Sequence, residues 1–327
     1  MPEGHTIHRL ARVFARCFVG RAVAASSPQG RFAAGAAALD GLRMAAAEAR
    51  GKHLFLGFEG DGAPVWLRVH LGLYGGWRFA GPGLAGEGGR RPAEVPRTGP
   101  AAPDAATEEP DGAATTRRFV AASGNGEGER AGDGGADAAW PPPPRGLVRL
   151  RLLAADRVAD LSGPTACVIE TPEGRMAAMA RLGEDPLRDD ADPAAAGRAV
   201  RASRSAIGLL LMRQDLVAGI GNIYRAEALF RAGIDPHRPG REVTEAEWGA
   251  LWTDLRVLMQ DGVARGRIVT TRPEHRGVGR RGGAVARGAA GYVAHRAGQP
   301  CRVCATPVRA ETMAGRTLYW CEACQPK

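Results

Sequence analysis

The chain has 327 residues, 44% of them hydrophobic, which is enough for real cores and suggests two or three domains. Its net charge is +9 and its pI about 9.8, a balance that suits a polyanionic partner and equally a basic enzyme with no nucleic-acid partner. No stretch approaches the ~18 apolar residues of a membrane span, and Met1-Pro2-Glu3-Gly4-His5 lacks a charged-then-apolar leader; the expectation is a cytoplasmic protein with no membrane partner.

In chain order, Ile7, Leu10, Ala11, Phe14 and Phe18 recur at helical spacing and predict a first helix closed by Gly20. Short strand-like pieces follow at 21–25, 41–47, 53–58 and 65–70, separated by Gly and Asp, which suggests a β-sandwich or barrel. Residues 81–146 break the pattern: 38 of the 66 are Gly, Pro or Ala, and the only aliphatic side chains are Leu84, Val95 and Val120. Such a segment cannot bury enough surface to offset its ordering entropy, so it reads as a low-complexity insertion ending in Pro141–Pro144. Strands resume at 147–153 and 167–171. From about Ala199 the period turns helical, with helices expected over 205–213, 223–232 and 245–263, the second closed by Gly233. Residues 266–298 read as mostly loop.

The positive charge lies at the two ends. Residues 1–80 hold 10 basic and 5 acidic side chains, and 198–327 hold 21 and 11, so the net charges are +5 and +10. Only two of the 44 basic residues are lysine, Lys52 and Lys327, which singles out Lys52 as a site where an ammonium is wanted.

Three places carry chemistry. Cys301-x-x-Cys304 and Cys321-x-x-Cys324 have the spacing of two knuckles that close on one tetrahedral Zn2+; a redox role would not need the second pair. Between them a β-hairpin is expected, with Gly315 at the turn and Arg316 near the tip, where it can reach a phosphate. Ala218-Gly219-Ile220-Gly221-Asn222 is a tight turn into a helix; Asn222 can cap that helix or donate to a phosphate, and the same turn also suits plain helix packing. Finally, Pro2 would present a secondary amine once Met1 is removed. An α-amine with pKa near ~8 is partly neutral at pH 7 and can attack a sugar's anomeric carbon, with Glu3 shuttling protons. Taken alone, this start reads better as a flexible terminus.

Together, Met1-Pro2-Glu3-Gly4, Arg50-Gly51-Lys52-His53, His70-Leu71-Gly72-Leu73-Tyr74-Gly75, Gln214–Phe230 and the Cys-knuckle hairpin with Gly315-Arg316 resemble, in this order, the formamidopyrimidine-DNA glycosylase/endonuclease VIII family. The likeness to the actinobacterial endonuclease VIII branch lies in Met1–Leu10, Ala159–Ala166 and Arg181–Leu187. It implies an α+β multidomain fold: an N-terminal catalytic β-sandwich (1–190, interrupted by 81–146), a helix–two-turns–helix DNA-binding domain (198–290) and a zinc finger (295–327).

The implied activity is a bifunctional DNA glycosylase/AP lyase of base excision repair, acting as a monomer on damaged DNA with one structural Zn2+. Pro2 would be the nucleophile, Glu3 the acid/base and Lys52 a contact to the phosphate beside the lesion. His70, Asn222 and Arg316 would bind DNA, and Leu73 with Tyr74 would fill the gap left by a flipped nucleotide. That Leu-Tyr pair favours oxidised pyrimidines. His5 and Thr6 depart from relatives with a Pro-Glu pair there. The alternatives are a catalytically silent damage-binding paralogue and, less well matched to the Pro2 start, an RNA-binding protein.

Overall fold

The computed structural model describes residues 2–84, 140–276 and 285–327. The first helix, α1 (Gly4–Cys17), has one apolar face, and Ile7, Leu10, Val13 and Phe14 on it are buried. Each such burial is worth roughly 1.5–3 kcal/mol, so this face rather than intrinsic propensity holds the helix. Strand β1 (Ala24–Ser26) is followed by a short helix, α2 (Ala33–Leu39), that the strand pattern does not announce; its run of alanines favours helix. Then come β2 (Arg43–Arg50), β3 (His53–Glu59), β4 (Val65–His70), β5 (Gly76–Ala80), β6 (Val148–Ala154), β7 (Arg157–Ser162) and β8 (Ala166–Glu170).

Two antiparallel four-stranded sheets result, ordered β1-β6-β7-β5 and β2-β3-β4-β8. Their facing side chains, among them Leu54, Leu56, Leu67, Leu150 and Leu161, form one core with the apolar face of α1. This is the expected β-sandwich.

Its interruption is narrower than composition indicates. Leu84 is 2% exposed in that core. Trp140 Nε1 donates to Ala155 O at 3.0 Å, and Arg151 Nη2 to Pro142 O at 2.9 Å. Both ends of the segment are therefore fastened at the β6–β7 turn: a Cβ on Gly81 would lie 2.3 Å from Asp156 O. The rest of the low-complexity segment, 85–139, lies outside the described residues.

Two further helices, α3 (Pro172–Ala180) and α4 (Pro193–Arg201), fill the stretch after the last expected strand, where no element was expected. Both start with an N-cap followed by proline: Thr171 accepts from Gly174 N, and Asp192 accepts from Ala194 N and Ala195 N. After them, α5 (Ile207–Leu210) is shorter than expected, while α6 (Asn222–Ala232) and α7 (Glu245–Arg265) match closely. Gly233 closes α6 at φ +66°, and Thr244 with Glu247 forms a capping box on α7. These helices share a second core around Leu210, Ile220, Leu229, Trp252 and Leu255.

The C-terminal hairpin consists of β9 (Arg309–Met313) and β10 (Arg316–Trp320), joined by Ala314 and Gly315, both at positive φ. That is the two-residue turn suited to the twist of a hairpin. Among the described residues no helix is long and apolar enough to cross a membrane.

Candidate active site and nucleic-acid interface

Three glycines bring three distant stretches to one point. Gly4 N donates to Gly219 O at 2.8 Å. A Cβ on Gly4 would lie 2.9 Å from Gly219 Cα, and one on Gly51 would lie 3.1 Å from Gly219 N and 2.9 Å from Ala218 Cβ. The chain start, the β2–β3 turn and the turn before α6 thus touch backbone to backbone. Gly219 (φ +93°) and Gly51 (φ +58°) also occupy conformations that other residues avoid.

This contact places Glu3 against the start of α6. Its carboxylate, 0% exposed, accepts from Gly221 N at 3.0 Å, Ile223 N at 2.8 Å and Tyr224 N at 3.3 Å. The anion site expected at this helix N-terminus is therefore filled from within the chain, by a residue 218 positions before Gly221. The reading of Asn222 as a helix cap is corrected accordingly. Asn222 is the first residue of α6, and its Nδ2 donates to Thr317 O in β10 at 2.8 Å while its Oδ1 accepts from Arg225. Asn222 faces the zinc hairpin because Glu3 already satisfies the helix donors.

Burial pushes the Glu3 pKa up, while the amide donors and Lys52 pull it down; burial prevails, and the carboxyl titrates above its ordinary range. Lys52, on the β2–β3 turn, is pushed down to about 8 by burial; Glu3 opposes this shift and Arg316 reinforces it. Glu3, Lys52 and Arg316 are thus mutually within electrostatic reach, and Pro2, half-buried, adjoins Glu3 along the chain.

His70, half-buried at the end of β4, pairs with His53 across the sheet, ring centroids 4.8 Å apart. Burial, then Lys52 and Arg68, lower the His70 pKa. Leu73 and Tyr74, in the loop from β4 to β5, are 51% and 72% exposed and contribute to no core. Side by side on one short loop, such side chains form an apolar projection rather than strand packing.

Arg316 opens β10 at the hairpin tip and is exposed. Its arm is rigid. The four Sγ atoms of Cys301, Cys304, Cys321 and Cys324 lie within 4.8 Å of one another, with Cys301–Cys324 at 3.9 Å and Cys304–Cys321 at 3.4 Å. A tetrahedral zinc with ~2.3 Å bonds puts its sulfurs about 3.8 Å apart, so these thiolates fit one structural Zn2+. Glu227, buried in α6, ties the preceding segment down by accepting from Tyr292 N, Val293 N and Ala294 N at 2.7–2.8 Å.

Sequence reasoning missed Asp185, His8 and Arg225. Arg225 is fully buried and donates to Asn222 Oδ1, Gly208 O and Thr317 O, bracing the turn against the hairpin. Asp185 is 1% exposed, yet in sequence it is one acid in a Gly-Glu-Asp-Pro loop; nothing local marks it as buried.

Comparison with known proteins agrees with this anatomy. The chain matches the formamidopyrimidine-DNA glycosylase N-terminal domain over residues 1–126, the formamidopyrimidine-DNA glycosylase H2TH domain over 182–273 and the zinc finger found in FPG and IleRS over 298–327. It is 41% identical over 327 residues to Endonuclease 8 1 of Mycobacterium tuberculosis (strain ATCC 25618 / H37Rv), covering 99% of this chain and 100% of that protein. Formamidopyrimidine-DNA glycosylase of Bordetella petrii is 38% identical over 149 residues, 46% of this chain and 53% of that one.

The fold is shared with an FPG mutant of Lactococcus lactis in complex with Fapy-dG containing DNA (TM-score 0.68, 19% identity, all of both chains). It is also shared with the MutM (FPG) protein of Thermus thermophilus (TM-score 0.66, 23% identity, 100% and 99% covered). With a full-length relative at this identity and matching domains from end to end, the chain belongs to the formamidopyrimidine-DNA glycosylase/endonuclease VIII family of DNA-repair glycosylase/AP lyases.

Proposed function

We propose that this protein removes oxidised bases, pyrimidines in particular, from DNA and then cleaves the strand by β,δ-elimination, through a Schiff base on Pro2. The reading rests on one observation: Glu3, the neighbour of Pro2, is buried at the α6 N-terminus within electrostatic reach of Lys52. After removal of Met1, the neutral Pro2 amine would attack C1′ of the damaged nucleotide. The N–C1′ bond forms, the bond to the base breaks, and the sugar ring opens to an iminium. Glu3, with its pKa raised by burial, would hand a proton to the sugar and later take one back. Loss of a proton from C2′ would then expel the 3′ phosphate and loss of one from C4′ the 5′ phosphate, after which water would hydrolyse the iminium and free Pro2.

Lys52, His70, Asn222 and Arg316 would hold the phosphates around the lesion. Leu73 and Tyr74 would occupy the stack vacated by the flipped nucleotide, offsetting an extrusion cost of a few kcal/mol. The division of labour would follow a catalytic sandwich (1–190), a helix–two-turns–helix module (198–290) and a zinc finger (295–327).

Borohydride trapping on oligonucleotides, each with a single lesion, tests this. A crosslink is expected on abasic and oxidised-pyrimidine DNA, weakened by Pro2→Gly and abolished by an uncleaved N-terminal tag. Glu3→Gln is expected to impair base excision more than nicking at a preformed abasic site. Undiminished trapping with a blocked terminus would move the nucleophile elsewhere. Tight lesion binding with no crosslink at all would make the protein a damage-binding paralogue.

A further inference from the structure

We infer that Asp185, in the connection between the sandwich and the helical module, is a positioning residue that fixes the Lys52 turn against Glu3. This rests on the reading of Lys52 given above. Asp185 Oδ2 accepts from Gly51 N at 2.7 Å and pairs with His8 Nε2 at 2.8 Å; its Oδ1 accepts from Leu187 N at 2.9 Å. The donors come from the β2–β3 turn, from α1 and from the connection itself. Glu184, one residue earlier, joins the glycine turn: its N donates to Leu216 O at 3.3 Å, and its O accepts from Ala218 N at 2.9 Å.

Two consecutive residues thus fasten every stretch that meets at Gly219. Gly51 N–H is the last backbone donor before Lys52, so its partner sets where the lysine stem leaves the turn. A buried carboxylate keeps its charge only when several donors face it. Here burial pushes the Asp185 pKa up, and His8 with the amides of Gly51 and Leu187 more than reverses this, leaving it below the ordinary range.

Asp185→Asn keeps the shape but replaces one acceptor by an amide N–H2, which faces Gly51 N–H and His8 in one orientation and Leu187 N–H in the other. Two donors then face each other, the turn relaxes, and Lys52 loses its place beside Glu3. The residue acts through Lys52, so the effects of the two positions should not add.

The experiment is a double-mutant cycle of Asp185→Asn and Lys52→Arg in the full-length zinc-loaded protein. Its readouts are single-turnover excision on an oxidised-pyrimidine duplex, Kd on a duplex with a reduced abasic analogue, melting temperature and zinc content. Asp185→Asn alone should slow excision about tenfold or more with Kd within about threefold, and in the Lys52→Arg background it should cost less than about twofold. A purely packing role would lower the melting temperature and leave the excision rate per folded molecule unchanged, which would overturn the inference. Full additivity would also overturn it.

Silent Asp185→Asn beside an impaired Lys52→Arg would overturn this inference alone. Silent Lys52→Arg would overturn the Lys52 assignment and the inference with it. Should Asp185→Asn not fold, His8→Leu, which removes only the α1 brace, takes its place in the cycle with the same readings.

Discussion

At the scale of single residues, Lys52 and Gly51 carry the sharpest expectations. Lysine offers a compact charge where an arginine fork needs width, and Lys52 sits in a confined place beside Glu3. Lys52→Arg should keep the salt dependence of DNA binding and lower single-turnover excision by about tenfold or more. Wild-type excision by that variant would remove Lys52 from the site. The pH sign follows from its depressed pKa. In the free enzyme Lys52 is charged below about 8 and neutral above it, so it gives kcat/KM a falling alkaline limb, set against the rising limb of the Pro2 amine as it loses its proton. In the arginine variant that alkaline limb should move beyond the measurable range; a limb unchanged in both proteins belongs to another group. Gly51→Ala puts a methyl group 2.9 Å from Ala218 Cβ on a backbone at φ +58°. Strain of about 1–3 kcal/mol is expected, read as a lower melting temperature together with slower excision. A variant with unchanged melting temperature would mean that the three-glycine contact is loose.

At the scale of elements, the zinc hairpin and α6 act as one support. Ala226 and Phe230 of α6 pack against Tyr292, Val293, Cys301 and Cys321, and Gln325 Nε2 donates to Ile234 O at 2.9 Å. Asn222 and His237 add polar ties to the hairpin, the latter through Glu311 at 2.6 Å. The metal holds the strand that presents Arg316, since β10 ends one residue before Cys321. Cys321→Ser should therefore release zinc and weaken DNA binding by about tenfold or more, while the sandwich stays folded. The checks are metal analysis and a binding isotherm at fixed salt. Fully reduced wild-type protein without zinc would refute the site. The hairpin was legible from the Cys spacing and Gly315, because both are local signals. Helices α3 and α4 were not anticipated: their local signal, Thr171-Pro172 and Asp192-Pro193, is an N-cap followed by proline, and proline there reads first as a breaker.

At the scale of the whole molecule, the two ends of the low-complexity segment return to the same β6–β7 turn, through Gly81 and Trp140. That turn is at the far end of β7 from Ser162, which pairs with Gly76 beside the Leu73–Tyr74 loop. Replacing 86–138 by a short linker, while keeping Leu84 and Trp140, should leave the melting temperature and zinc content unchanged. A large drop in melting temperature would show that the segment packs on the rest. The amino-acid sequence by itself determined whatever depends on neighbours along the chain: the apolar period of α1, the alternation of the strands, the caps and glycine stop of the helices, the four thiolates, and the bias of positive charge to the two ends. The tertiary structure alone decided which charge meets which. Glu3, rather than Asn222, completes the α6 N-terminus, and Asp185 joins His8 to Gly51, because buried polar groups take the partner that packing brings within 3 Å, however many residues apart.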